Sequence, residues 1–366
     1  MTMDPSLAKT PSSAGRVIRI VFWFTTFTTA ALAFLAWFSG WLRPPCGYSL
    51  PELEQLHSAV EAVKEVHTHY PPCFAEVDVR ERRLHLMRHL QVAYPNSTYG
   101  QGEDSFLKLR DAIRTPGGLA PGSQPYAYKN RRGEVALLDL NTLDPAESLV
   151  FWLGGFPTPC KADGTPVASY GKLFGFNKDR DDPFKRDSLE LEAADPLRFR
   201  THPYFDFVPE RLVDNDDDGW LEYSPRVRSE TSSSPPYVYF DAASYLTSHN
   251  DPASVGLIRY PSDAKLAEKW GYATPYLKQF APERLADTSW QANKKFQIIA
   301  AGENERYGPT QPANVRRLVE IPSGRNWTTT DGKTFQAYEV LAPEERDNLT
   351  NVSSSTIGEM NEPDGM

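Results

Sequence analysis

The sequence predicts an α+β protein. An N-terminal transmembrane helix is followed by an extracytoplasmic domain in which helices pack on an antiparallel sheet with large loop insertions. Three observations predict it. Residues 20–42, "IVFWFTTFTTAALAFLAWFSGWL", run 23 positions without a charge. Helical periodicity dominates from there to about residue 154. Beyond it, short aromatic and β-branched runs alternate with clusters of Pro, Gly, Asn and Asp.

The uncharged run is long enough to span a bilayer, which takes about 20 apolar residues. It is apolar all round, and it exceeds the roughly 7–15 residues of a signal-peptide core. Lys9, Arg16 and Arg19 precede it, while Trp37 and Trp41 sit near its far end, where aromatic rings anchor at the interface. The positive-inside rule then keeps the N-terminus in the cytoplasm and places the body outside a bacterial inner membrane. Five segments follow: a cytoplasmic tail at 1–16, the span at 17–42, a mainly helical part at 43–154, a sheet- and loop-rich body at 155–352, and a disordered tail at 353–366. The lipid bilayer is the first partner this implies.

In "LPELEQLHSAVEAVKEVHTHY" (50–70), Leu53, Leu56, Val60, Val63 and Val66 recur at helical spacing. Further helices are predicted over 78–94, 103–114 and 144–154. The last has Asp144 as N-cap, Pro145 at its first position and Gly154 after its end. "PYVYFD" (236–241), "FQIIAAG" (296–302) and "FQAYEVL" (335–341) read as strands. The helix at 50–70 is expected to lie on a sheet containing the first two.

A net charge of −9 without a basic stripe excludes nucleic acid as a partner. With 31 prolines among 366 residues, much of the backbone must be irregular. Of the three cysteines, Cys46 and Cys73 flank a predicted helix that holds them about 30 Å apart, so they bridge only if the chain doubles back after Pro71-Pro72; Cys73 with Cys160 is a conceivable pair. The odd count leaves at least one thiol free or bridged to another chain.

"VDNDDDGWLEY" (213–223) is the most chemically suggestive stretch. Asp214, Asp216 and Asp218 alternate ahead of Gly219, as in loops that deliver several carboxylates to a hard cation. Glu222 stands at the ninth position, but Pro225 occupies the twelfth, where an EF-hand carries its bidentate glutamate. The expected set is therefore a calcium loop of Asp214, Asp216, Asp218 and Glu222, with an affinity of about 10⁻⁴–10⁻³ M. An Asx-rich turn between two strands accounts for the same residues.

Motifs for nucleophilic, zinc-dependent or dinucleotide chemistry (G-x-S-x-G, H-E-x-x-H, G-x-G-x-x-G) do not occur. His85 and His89 lie four apart on a helix, but Arg82, Arg83 and Arg88 around them suggest a basic exposed face. The sequence predicts no catalysis.

Two segments near the C-terminus carry a family resemblance. "FQIIAAGENERYG" (296–308) resembles the segment of type II secretion major pseudopilins that ends in a Ser-x-Gly-x-Asp-Gly turn, and "RDNLTN" (346–351) resembles their closing run. "ESLVFWLGG" (147–155) and "FDFVPERLVDNDDDGWLEY" (205–223) are similar to pieces of large bacterial prepilin-like proteins. The resemblance implies a pilin-like body and a structural role in a bacterial secretion or pilus-like envelope apparatus, with its proteins as partners. It also implies a calcium site, whose side-chain ligands would be Asn304 and Asp347. Here Asn304 stands for the family's aspartate and Glu305 for its glycine. The prepilin cleavage motif is missing as well: Gly15 is followed by "RVIRI", with no glutamate in the span. The alternative function is a membrane-tethered extracytoplasmic module that binds a ligand or protein without catalysis.

Overall fold

The computed structural model describes residues 49–76, 78–97, 99, 105–114, 127–129, 134–160, 172–185, 198, 200–225, 234–246, 258–283, 287–292, 294–310, 315–329, 335–338 and 340–352. The predicted span at 17–42, the tails at 1–16 and 353–366, and Cys46 lie outside them. Among the described residues no helix is long and apolar enough to cross a membrane.

Helix α1 (Ser49–His67) turns Leu53, Leu56, Val60 and Val63 inward, each at most 2% exposed. Val66 falls off that stripe and is 42% exposed; the next inward position belongs to His67. Helix α2 (Val79–Ala93) is capped by Asp78, which accepts from Arg80 N at 2.7 Å. Helix α3 (Ser105–Arg114) follows, then α4 (Pro145–Gly154), whose ten residues are all buried. A helix apolar on every side can only be stable inside a core. Gly154 is the last residue of α4, and the C-cap is Gly155 at φ +87°. Two short helices, α5 (Ala242–Leu246) and α6 (Ala264–Trp270), come later.

The single pilin-like antiparallel sheet expected from the sequence is not formed. Among the described residues the strands distribute over five small sheets instead. In the first, β1 (Ala127–Lys129) runs between β2 (Val135–Ala136) and β4 (Pro159–Cys160); in the second, β3 (Phe156–Pro157) pairs with β5 (Leu173–Phe174). Strands β6 (Leu212–Val213) and β7 (Glu222–Tyr223) make a two-stranded hairpin. A three-stranded antiparallel sheet has β11 (Phe296–Ala300) at its centre, flanked by β8 (Val238–Asp241) and β15 (Leu349–Thr350). The fifth sheet is mixed, in the order β10 (Ser289–Trp290), β9 (Tyr276–Gln279), β12 (Arg316–Glu320), β13 (Asn326–Thr329), β14 (Gln336–Tyr338). Strands β9 and β12 run parallel there. Between them the chain passes through β10 and then β11, which belongs to another sheet, so it returns in the same direction. Short strands broken by prolines close small sheets more readily than one continuous one.

The expected juxtaposition of α1 with 236–241 and 296–302 holds in part. Strands β8 and β11 pair antiparallel, α4 packs on β8, and α1 packs on α4 and β15. The His57 ring of α1 lies 4.9 Å from Phe296. A second apolar centre joins α2, α3, α4 and the following loops through Leu86, Leu90, Leu109, Trp152, Phe176 and Trp220.

Two side-chain expectations are corrected. Cys73 is a buried free thiol that donates to Ser244 Oγ at 3.1 Å, so no bridge joins it to Cys160. Asp241 holds this corner together: it accepts from Cys73 N at 2.9 Å and from Ser244 Oγ at 2.5 Å. The face of α2 around His85 and His89 is an exposed basic surface only in part: Arg83 and Arg88 are exposed, whereas Arg82 and His85 are half-buried and His89 is buried. His85 pairs with buried Glu76, and Arg82 reaches back to the carbonyls of Asn141 and Leu143. His89 is buried, its ring 4.9 Å from Trp152 and 5.6 Å from His67. The two histidines turn to different neighbours.

Burial, with Arg180 nearby, lowers the His67 pKa to about 4, and burial followed by His67 drives that of His89 well below its ordinary value. Unfolding frees both rings to bind protons near pH 6.5. Their contribution to stability is therefore present above that pH and lost as pH falls toward 4. At pH 5 the His67 ring should cost ~2 kcal/mol, taking about 1.4 kcal/mol per unit below 6.5, and His89 acts in the same direction. Urea melts at pH 7 and pH 5 should show His89→Leu losing less stability on acidification than the wild type. Equal losses would mean that His89 is protonated in the native state.

Candidate metal centre

The hairpin of β6 and β7 sets Val213 opposite Glu222 and leaves residues 214–221 as its loop. Asp214 is buried and spends both oxygens on the loop itself: Oδ1 accepts from Asp218 N at 3.2 Å and Oδ2 from Gly219 N at 3.1 Å. Gly219 takes φ +96°, the left-handed turn that its missing Cβ permits. Asp218 Oδ1 accepts from Trp220 N at 2.9 Å. The Trp220 indole then plugs the loop into the core, donating to Asp139 O at 3.0 Å with its ring 5.4 Å from Phe151.

The N-terminus of α4 meets this loop. Asp144 Oδ1 accepts from Ala146 N and Glu147 N at 2.8 and 3.1 Å, and Glu147 Oε2 accepts from Asp144 N at 2.9 Å. This is a complete capping box. It fixes the Glu147 carboxylate and leaves Oε1 buried without a partner. One oxygen each from Glu147, Asp216 and Asp218 lies within 4.8 Å of the others. Glu147 is fully enclosed, whereas Asp216 and Asp218 keep some contact with solvent. Asp218 Oδ2 and Asn215 Oδ1 are also buried without partners.

Crowding shows in the electrostatics. Burial, then the Asp218 charge, pushes Asp216 up to about 9 and Asp214 up to about 7. Burial raises Asp144 to about 7, against the backbone N–H groups it accepts from. Burial drives Glu147 and Glu222 well above the carboxylate range, with the neighbouring acids adding to it: Asp218 first for Glu147, Asp144 first for Glu222. Carboxylates taken out of water next to one another favour either a proton or a cation among them. Oxygen-only donors suit a hard ion such as calcium or magnesium.

Of the four loop residues expected from sequence, Asp216 and Asp218 come together with Glu147. Asp214 serves the turn. Glu222 is buried on β7, accepting from Tyr260 Oη at 2.6 Å and from the Asn215 side-chain amide. Sequence reasoning missed Glu147. Its only signal was the "DPAE" cap of α4, which states the residue's local role and not what its second oxygen faces.

The second expected pair also meets, without needing an ion. Asn304 N donates to Asp347 Oδ2 at 3.0 Å, and Asn304 Nδ2 donates to Asp347 Oδ1 at 2.9 Å and to Glu344 O at 3.0 Å. An amide thus stands among acceptors that could otherwise face a cation. Beside it Asn348 Oδ1 accepts from Gly302 N at 3.2 Å, and its Nδ2 donates to Tyr307 O at 2.7 Å. Any Cβ on Gly302 would sit 2.2 Å from Asp347 Cγ, so this closure requires glycine.

Comparison of the chain with protein-family models, with curated proteins and with solved structures finds no match.

Proposed function

We propose that the chain is a non-catalytic structural component of a bacterial envelope apparatus of the secretion or pilus-like kind, tethered to the inner membrane through residues 20–42. The observation that carries this reading is the closure of the C-terminal run on the sheet. Strand β15 pairs with β11, and the Asn304–Asp347 and Gly302–Asn348 bonds fasten the loop after β11 to the run before β15. The two segments joined in this way are the ones that resemble pseudopilins. The closure uses hydrogen bonds where those proteins use calcium, and the body around it is built from several sheets. The sealed Cys73–Ser244–Asp241 corner serves packing, which suits a scaffold.

A second reading, a tethered binding module, draws on an open groove of about 600 Å³ between the Glu54–Ser58 face of α1 and residues Tyr204, Phe205 and Asp206. Cross-linking in native membranes, followed by capture of the tagged full chain, separates the two. The structural reading expects a secretion ATPase or platform protein among the captured products. Capture of none, with a small molecule retained by the purified chain, would favour the groove.

A further inference from the structure

We propose that the acidic chamber is a calcium site in which one ion, held by Glu147, Asp216 and Asp218, locks helix α4 to loop 214–221. This goes beyond the envelope reading and is independent of it, because titration reads the ion and cross-linking reads the neighbours.

Geometry carries the assignment. Two oxygens bound to the same calcium at 2.3–2.6 Å can be no more than about 5 Å apart. The three oxygens of the cluster, all within 4.8 Å of one another, fit inside that limit. The loop acids alone would be an ordinary acidic turn. What distinguishes the place is a carboxylate from a different element: Glu147 is 1% exposed, is clamped through Oε2, has Oε1 buried with no partner, and brings one of its oxygens into the cluster with the loop acids. A buried acceptor left in this way costs about 1–3 kcal/mol unless something satisfies it. Among the described residues neither Glu147 Oε1 nor Asp218 Oδ2 has a hydrogen-bond partner, and Tyr260 and the Asn215 amide donate to Glu222. A cation satisfies all three carboxylates at once.

The donor set selects the ion. Three carboxylates with no nitrogen or sulfur ligand disfavour zinc and copper. The set is irregular, with its open side at Asp216 and Asp218, and leaves the other positions to water or carbonyl oxygens. Calcium accepts this with its six to eight flexible ligands, while magnesium demands near-ideal octahedral geometry. The ion would join two elements far apart in sequence, which gives the Glu147 capping box and the Trp220 plug a common purpose.

The test uses the purified full chain, stripped with chelator and titrated with calcium by calorimetry. In parallel, terbium luminescence is excited through tryptophan, since Trp220 lies two residues from Asp218. The expected result is one calcium per chain and tryptophan-sensitised terbium emission that calcium reverses. Glu147→Gln keeps the capping acceptor and removes the charge; it should weaken calcium binding roughly 10- to 100-fold, the usual effect of disturbing a metal site. Asp216→Asn, on the solvent side, should do the same and carries the test if the buried variant fails to fold. Asp347→Ala should bind like the wild type. Absence of saturable binding, wild-type affinity in Asp216→Asn, or loss only in Asp347→Ala would overturn the assignment. Magnesium reversing the terbium signal as well as calcium does would overturn the choice of ion.

Discussion

Glu52→Ala should cost roughly 3–5 kcal/mol of folding stability, the penalty for breaking a buried ion pair from one side. Glu52 sits in the first turn of α1 and accepts four bonds. Arg211 Nη1 and Nη2 donate at 2.6 and 2.5 Å, Tyr223 Oη at 2.9 Å and Tyr237 Oη at 2.7 Å. Arg211 and Glu52 are only 11% and 15% exposed. Removing the carboxylate leaves both Nη groups of Arg211 and two phenols without this acceptor at the joint of α1, the β6–β7 hairpin and β8, and only Arg211 Nε keeps a partner, Ser224 O at 2.7 Å. Arg211 also stacks over the Tyr223 ring at 4.3 Å, so that contact depends on the same anchor. Urea denaturation should show a lower midpoint with an unchanged slope. Glu52→Gln, which keeps an acceptor, should lose about half as much. A loss under 1 kcal/mol in the alanine variant would mean that solvent replaces the pair freely.

Trp152→Ala should be comparably severe, at about 3–5 kcal/mol. The side chain is 1% exposed, and its ring centroid lies 4.9 Å from both Phe151 and His89 and 5.9 Å from Phe176. Its Nε1 donates to Pro72 O at 3.0 Å, which ties α4 to the segment between α1 and α2. The variant leaves both a cavity and an unmet carbonyl. Trp152→Phe should recover most of the packing while still losing the hydrogen bond, with a cost of roughly 1–3 kcal/mol. Thermal melts of the two variants against the wild type decide it. Equal losses would place the energy in the hydrogen bond alone.

Much of the local structure was legible in the sequence because it is set by local chemistry. The three-four-three spacing of Leu53, Leu56, Val60 and Val63 fixes the inward face of α1, and Asp144-Pro145 fixes where α4 begins. The same periodicity should have demoted Val66: the inward position after Val63 comes four residues on, at His67. The β8–β11 pairing was legible because both runs are dense in aromatic and β-branched residues. The parallel β9–β12 pair was not. "YLKQ" carries a weak strand signal, and its partner is chosen by how the chain returns from another sheet. The candidate site divides in the same way. Asp216 and Asp218 announce themselves by spacing, while Glu147 becomes a partner only when α4 docks on β7, a tertiary contact. Local chemistry also left Asp214 ambiguous, since a carboxylate can cap a turn or bind an ion, and here it accepts from two turn amides. Which thiol stays free was not legible, because Ser244, the partner of Cys73, is a neighbour that only folding supplies.

The central claim, that a calcium ion joins α4 to loop 214–221, is tested most directly by crystals of the full chain grown with calcium and measured at long wavelength. The expected result is an anomalous peak between Glu147, Asp216 and Asp218, with carboxylate oxygens at about 2.3–2.6 Å. A map with no peak there, or with a peak only beside Asp347, would contradict it.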